Sequence, residues 1–279
     1  MSAVDPAGVA AAVHADRLVR LRVTMPRVIR SEWTKFWSLR STYWTMIFAV
    51  VSMAGLGPVV SAIEMAHWNQ MNAEDRAGFD AIDASIGGYH LAQLAIGVLG
   101  VLVITGEYST GMIRSTFAAV PKRLPVLWAK ALVFGGVVLS TMLVSTLIAF
   151  FASQPILTQH HVDTTLGAPG SARALVGNAL FLTATGLLGL ALGALVRNTA
   201  GGITVFAGVF FVLPGLAAIL PHSWGDAIDP YLPLSAGTQV LAVHSDPAQL
   251  APWTGFLLFC GYVVLAFAAA AVLLRRRDA

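Results

Sequence analysis

Eight residues, Gly106 to Ile113 (GEYSTGMI), carry the glycine spacing of a phosphate-binding loop, G-x-x-x-x-G-K-[ST]. That chemistry needs a lysine against the β- and γ-phosphates and a hydroxyl to hold Mg²⁺. Met112 and Ile113 stand in those two places, and no buried strand precedes the loop. The segment is not expected to bind nucleotide or hydrolyse ATP. His160 and His161 with Asp163 suggest a metal site, but adjacent histidines cannot easily share one ion with a carboxylate two residues on, and no H-E-x-x-H helix exists. Ser140 and Ser145 lie in an apolar run with no deep histidine to activate them. The single Cys260 excludes a disulfide framework or a cysteine zinc site. No catalytic residue and no metal ligand is assigned. His90, Gln93 and Asn178, polar residues within apolar runs, are candidates for a solute path, with interfacial placement or interhelical hydrogen bonding as the plainer alternative.

The elements that hold these residues are set by composition. Of 279 residues, 57% are hydrophobic and 11% charged, with a mean hydropathy of +0.74. A soluble domain carries about 25% charged residues, so the surface must face lipid. Unbroken apolar runs about 20 residues long indicate membrane helices rather than alternating strands. Six are expected, at about 43–63, 87–105, 126–151, 174–196, 200–220 and 254–274. The fourth and fifth form a tight hairpin around Arg197 to Thr199. Residues 1–25 read as a flexible cytoplasmic tail and 26–279 as one six-span domain; the first forty residues hold seven Arg/Lys and no apolar signal-peptide core.

Six spans put both ends of the chain on one side, and positive charge orients them. Fifteen of the 17 basic residues fall on the side of the N-terminus, and only Arg76 and Arg173 on the other. Both termini are therefore expected in the cytoplasm. Arginine far outnumbers lysine amid abundant Ala and Gly, as in a high-GC bacterial genome, which points to a bacterial plasma membrane. The weak net charge of +3 gives no argument for nucleic acid.

Two short helices should lie on the cytoplasmic face. In PRVIRSEWTKFWSLRSTYW, Ile29, Trp33, Phe36 and Trp37 share one helical face, with Arg27, Ser31, Thr34, Lys35 and Ser38 opposite. This reads as an interfacial helix, with Trp33, Phe36 and Trp37 anchoring it in membrane lipid and its cations toward anionic headgroups. Ile113, Phe117 and Val120 are spaced i, i+4, i+7, so a second amphipathic helix is expected near Thr110 to Val120, closed by Pro121.

SEWTKFWSLRSTYW before the first span, with GEYSTGMIRSTFAAVPKRLPVLWAK after the second, resembles the permease subunits of bacterial type 2 ABC transporters. Their E-x-x-x-G-x-[IL]-R pattern, later P-x-R and lysine are matched by Glu107, Gly111, Ile113, Arg114, Pro121, Arg123 and Lys130. Span count, topology and loop lengths agree along nearly the whole chain, except that the first outer loop is longer than such a permease needs.

The resemblance implies an all-α permease working as a homodimer or heterodimer, bound to two separate ABC ATP-binding subunits. ATP and Mg would bind those partners, not this chain. The helix after span two would couple to the ATPase, with Ile113 and Phe117 as knobs and Arg114 and Arg123 as charged partners. Glu107 would sit at the membrane edge beside a basic residue. Export of a hydrophobic or amphipathic molecule (a drug, antibiotic or lipid) is the implied activity. The alternative is an ion-coupled secondary carrier, which usually needs charged groups in mid-span; the six runs carry none in their central turns.

Overall fold

The computed structural model describes residues 23–244 and 246–276. Residues 1–22 of the expected tail, and Arg277 of the basic C-terminal cluster, lie outside them. Among the described residues the chain is helical with no strand. Thirteen helices are labelled in order: α1 Met25–Ser38, α2 Arg40–His67, α3 Ala73–Ala77, α4 Ala81–Ile86, α5 Tyr89–Ser109, α6 Met112–Ala119, α7 Leu124–Leu157, α8 Ser171–Val196, α9 Thr199–Ala207, α10 Leu213–Ile219, α11 His222–Ile228, α12 Pro233–Thr238 and α13 Pro252–Arg276.

Six segments are long and apolar enough to cross a membrane: Arg40–Gln70, Tyr89–Ser109, Leu124–His160, Ser171–Val196, Thr199–Ile219 and Pro252–Arg276. The protein is an all-α, multi-pass membrane protein, as the sequence predicts. The first and third spans outrun the expected ranges, because α2 and α7 continue past the apolar run to His67 and Leu157, α7 through Pro155. A proline removes one ladder hydrogen bond without ending a helix that neighbours hold in place.

Helices α5 and α8 form the centre. Their membrane windows are 67% and 72% buried, against 22–39% for the other four, so these two are sheathed by protein and the rest face outward. Small residues set the crossing. A methyl group on Gly100 would strike the Gly186 carbonyl, and one on Gly189 the Gly97 carbonyl. Lipid gives no hydrophobic drive between helices, so such close backbone approach supplies packing attraction instead. Phe206 of α9 lies flat on Gly97 and pairs with Phe210, which meets Phe259 of α13. Phe206 stands just before one wide helical turn, Gly208–Val212, and Phe210 lies within it, just ahead of Pro214.

The long loop between the first two spans folds. Asn72 caps α3 through Asp75 N, and Asp80 caps α4 through the amides of Ile82 and Asp83. Helix α4 buries Ile82 and Ile86, and the Ser85 carbonyl presses on Gly57 of α2. The second half of the loop is thus part of the packed core, while α3 stays exposed.

Candidate functional site

Helix α1 turns Val28, Glu32 and Phe36 inward, a stripe at i, i+4, i+8 with an acid at its centre. The end of α5 brings Glu107, and the second turn of α7 brings Lys130. The four charged groups close into a ring. Lys130 Nζ donates to Glu32 Oε2 at 2.6 Å and Glu107 Oε1 at 2.8 Å, while Lys35 Nζ donates to Glu32 Oε1 at 2.7 Å and Glu107 Oε1 at 3.2 Å. Lys35 also donates to Thr116 Oγ1 of α6 at 3.0 Å. Four helices from separate parts of the chain therefore meet on one group of charges.

Side-chain exposure is 2% for both glutamates and 4% for Lys130, against 19% for Lys35, so three of the four charges are withdrawn from solvent. Taking such charges out of water costs several kcal/mol per ion, offset only where pairing is close and complete. Two carboxylates against two ammonium groups make the ring neutral. Glu107 stands in the last turn of α5, where the helix dipole disfavours a carboxylate. Its place is held by the two lysines, not by its own helix. Glu107 Oε2 is buried with no protein hydrogen-bond partner, beside a small cavity lined by Phe36, Leu39, Val103 and Val133.

The remaining residues expected at this end divide into inward and outward sets. Gly111 starts α6 with a left-handed φ of 74°. Ile113 is buried at 4% exposure, which corrects its expected role as a knob into a partner: it packs inward, because the face of α6 that carries Thr116 toward Lys35 turns Ile113 under the helix. Phe117 is half-buried, with the Arg123 guanidinium 5.5 Å above its ring. Arg114 and Pro121 are exposed. Arg123 Nη1 donates to the Leu274 carbonyl at 3.2 Å, and Arg197 Nη2 to Leu273 at 3.5 Å. Two turns between spans thus bring cations to carbonyls in the last turn of α13, where they complement the dipole.

The anchoring face of α1 also differs from expectation. Trp33 is 49% exposed and Trp37 half-buried, but Phe36 is a core residue whose ring meets Phe134 edge-on at 6.3 Å. Lys35, expected on the polar side, points into the ring of charges. The helix is rolled toward Glu32, because the ionic contacts of Glu32 with Lys130 and of Lys35 with Glu107 outweigh the pull of two indoles toward lipid.

His90, Gln93 and Asn178 do not assemble into one group with the charged ring. His90 is exposed near the start of α5, at the other end of the bundle from Glu107, its ring 4.0 Å from that of Tyr89. Gln93 is buried. Asn178 Nδ2 donates to Thr146 Oγ1 at 2.9 Å and to Met53 Sδ at 3.4 Å, joining α8 to α7 and α2. That is an interhelical fastening. His160 stacks near Trp68 at 5.6 Å.

No family model matches the chain, and no curated protein matches it. Glu32 and the inward role of Lys35 escaped the sequence reading. The available signal was an acid centred on the apolar stripe Val28–Glu32–Phe36, with Lys35 three residues on.

Proposed function

We propose that the chain is the membrane-spanning permease subunit of an ATP-driven exporter. It works as a pair, with itself or a paralogue, and its ATP-binding subunits are separate chains that bind ATP and Mg. They dock beneath α6, on the side where the basic residues collect, which is the cytoplasmic side of a bacterial plasma membrane. The exported solute is hydrophobic or amphipathic.

The observation that carries this reading is the ionic ring. A push on α6 reaches Lys35 through Thr116, and from there α1, the end of α5 and the start of α7. A transporter driven from outside needs such a stiff joint between a docking helix and the spans. Arg114, exposed on α6, is the contact offered to the partner. The charged side chains of the spans lie near helix ends, which fits an external engine better than an ion-coupled carrier.

The test is affinity purification of the tagged chain from its native membranes in mild detergent, with mass spectrometry of what accompanies it. A soluble Walker-type ATPase in near-equal amount, lost in Arg114→Glu, is expected. The chain recovered alone would overturn the reading in favour of an ion-coupled carrier.

A further inference from the structure

A groove of about 400 Å³ runs between α1 and α7 on their outward side. Ile29 and Trp33 form one wall, and Leu132, Gly136 and Ser140, spaced i, i+4, i+8, form the other. The lining is almost wholly apolar. Ser140 Oγ donates to its own helix, to the Gly136 carbonyl at 2.9 Å and the Val137 carbonyl at 3.0 Å, so its hydroxyl makes no demand on an occupant. The dip itself is Gly136, where an added methyl group would meet nothing within 4 Å. Leu132 beside it is 61% exposed.

Three properties choose the occupant. The groove opens on a surface formed by a membrane-crossing helix and an amphipathic helix at its end, so the medium against it is the hydrocarbon of one leaflet. Its volume suits a single alkyl chain; a helix about 10 Å across would fill it in about one turn. Arg30 follows Ile29 and precedes Trp33 by three residues, is exposed, and makes no ion pair among the described residues. Arg30 does not line the slot, but it stands one turn before Trp33 on α1, and a guanidinium there is complementary to a phosphate above an acyl chain.

We propose that this groove binds one anionic phospholipid, its acyl chain over Gly136 between Trp33 and Leu132 and its phosphate on Arg30. The bound lipid wedges α1 against α7 and so supports the helix that carries Glu32 and Lys35. The site is independent of what the protein transports, and its test needs no ATPase.

The full chain, reconstituted in vesicles of equal phosphatidylglycerol and phosphatidylcholine, is released into mild detergent and weighed by native mass spectrometry. One retained phosphatidylglycerol per chain is expected. Gly136→Leu sets its Cβ in open space and its isobutyl group in the slot and should reduce retention at least fivefold, while Gly261→Leu, at another open glycine on α13, should leave it unchanged. Arg30→Gln should remove the preference for phosphatidylglycerol over phosphatidylcholine. Equal retention in wild type and Gly136→Leu, an unchanged headgroup preference in Arg30→Gln, or a Gly136→Leu effect on dimer mass instead of lipid would each overturn the proposal. Unfolding midpoints of the variants, measured alongside, separate lipid loss from misfolding.

Discussion

Glu107 Oε1 lies 2.8 Å from Lys130 Nζ across the mouth of the loop that separates two membrane spans. The 22 intervening residues contain α6, so the pair clamps the base of that helix. The same carboxylate oxygen also receives Lys35, which fastens α1 to the clamp.

Removing one charge from this ring leaves its partner buried and incompletely paired. Glu107→Gln or Lys130→Met is expected to cost about 3–5 kcal/mol. The double variant Glu107→Gln/Lys130→Met, which restores neutrality and leaves Glu32 with Lys35, should be less damaged than the sum of the two. Thermal unfolding in detergent reads this. A strictly additive double variant would show that the ring is not coupled.

Glycine at position 111 answers to backbone geometry. Its φ of 74° costs a non-glycine residue about 1–2 kcal/mol, and an added methyl group meets no neighbour. Gly111→Asn should therefore be tolerated better than Gly111→Val. Equal loss in both would mean that the side chain, not the backbone, is resisted there.

At the α5–α8 crossing the constraint is space. Gly189→Ala would drive its methyl into the Gly97 carbonyl and should prevent normal assembly, whereas Gly261→Ala meets nothing and should be neutral or slightly stabilising. Yield of monodisperse protein on size exclusion separates the two. Equal yields would show that the crossing can open.

The spans were legible in the sequence because an apolar run of membrane length has no other stable use. Their packing order was not, since α5 and α8, with mean hydropathies of 1.7 and 2.1, are no more apolar than the other four at 2.1–2.6; glycines such as 97, 100, 186 and 189 mark the contact. Glu107 and Lys130 stood out by resemblance. Glu32 did not, because an amphipathic helix is oriented from its apolar residues, and Ile29, Trp33 and Trp37 drew that face away from the acid that holds α1. Helix α4 was hidden inside a polar loop, where Ile82 and Ile86 are too few to register as a periodic pattern.

Asn178 is expected to act as a fastener only. Its bond to Thr146 should be worth about 0.6 kcal/mol, with about 1.7 as the upper end for such bonds in a membrane. Asn178→Leu should lower the unfolding midpoint slightly and leave transport intact. A large transport loss at unchanged stability would instead make Asn178 part of the solute path.

On α6, stability and coupling are assigned to different residues one position apart. Ile113 is buried, so Ile113→Ala removes packing and should cost about 2–5 kcal/mol. Arg114 is exposed, and Arg114→Glu should change stability by no more than about 0.5 kcal/mol. If α6 receives force from a separate ATPase, the order reverses in an association assay. Arg114→Glu should abolish recovery of the ATPase, because a reversed charge at the contact repels what the arginine attracted. Ile113→Ala, measured below its lowered unfolding midpoint, should retain it. Loss of association in Ile113→Ala alone would require Ile113 to leave the core on docking, and α6 would then have to roll about its axis and break the Lys35 contact to Thr116.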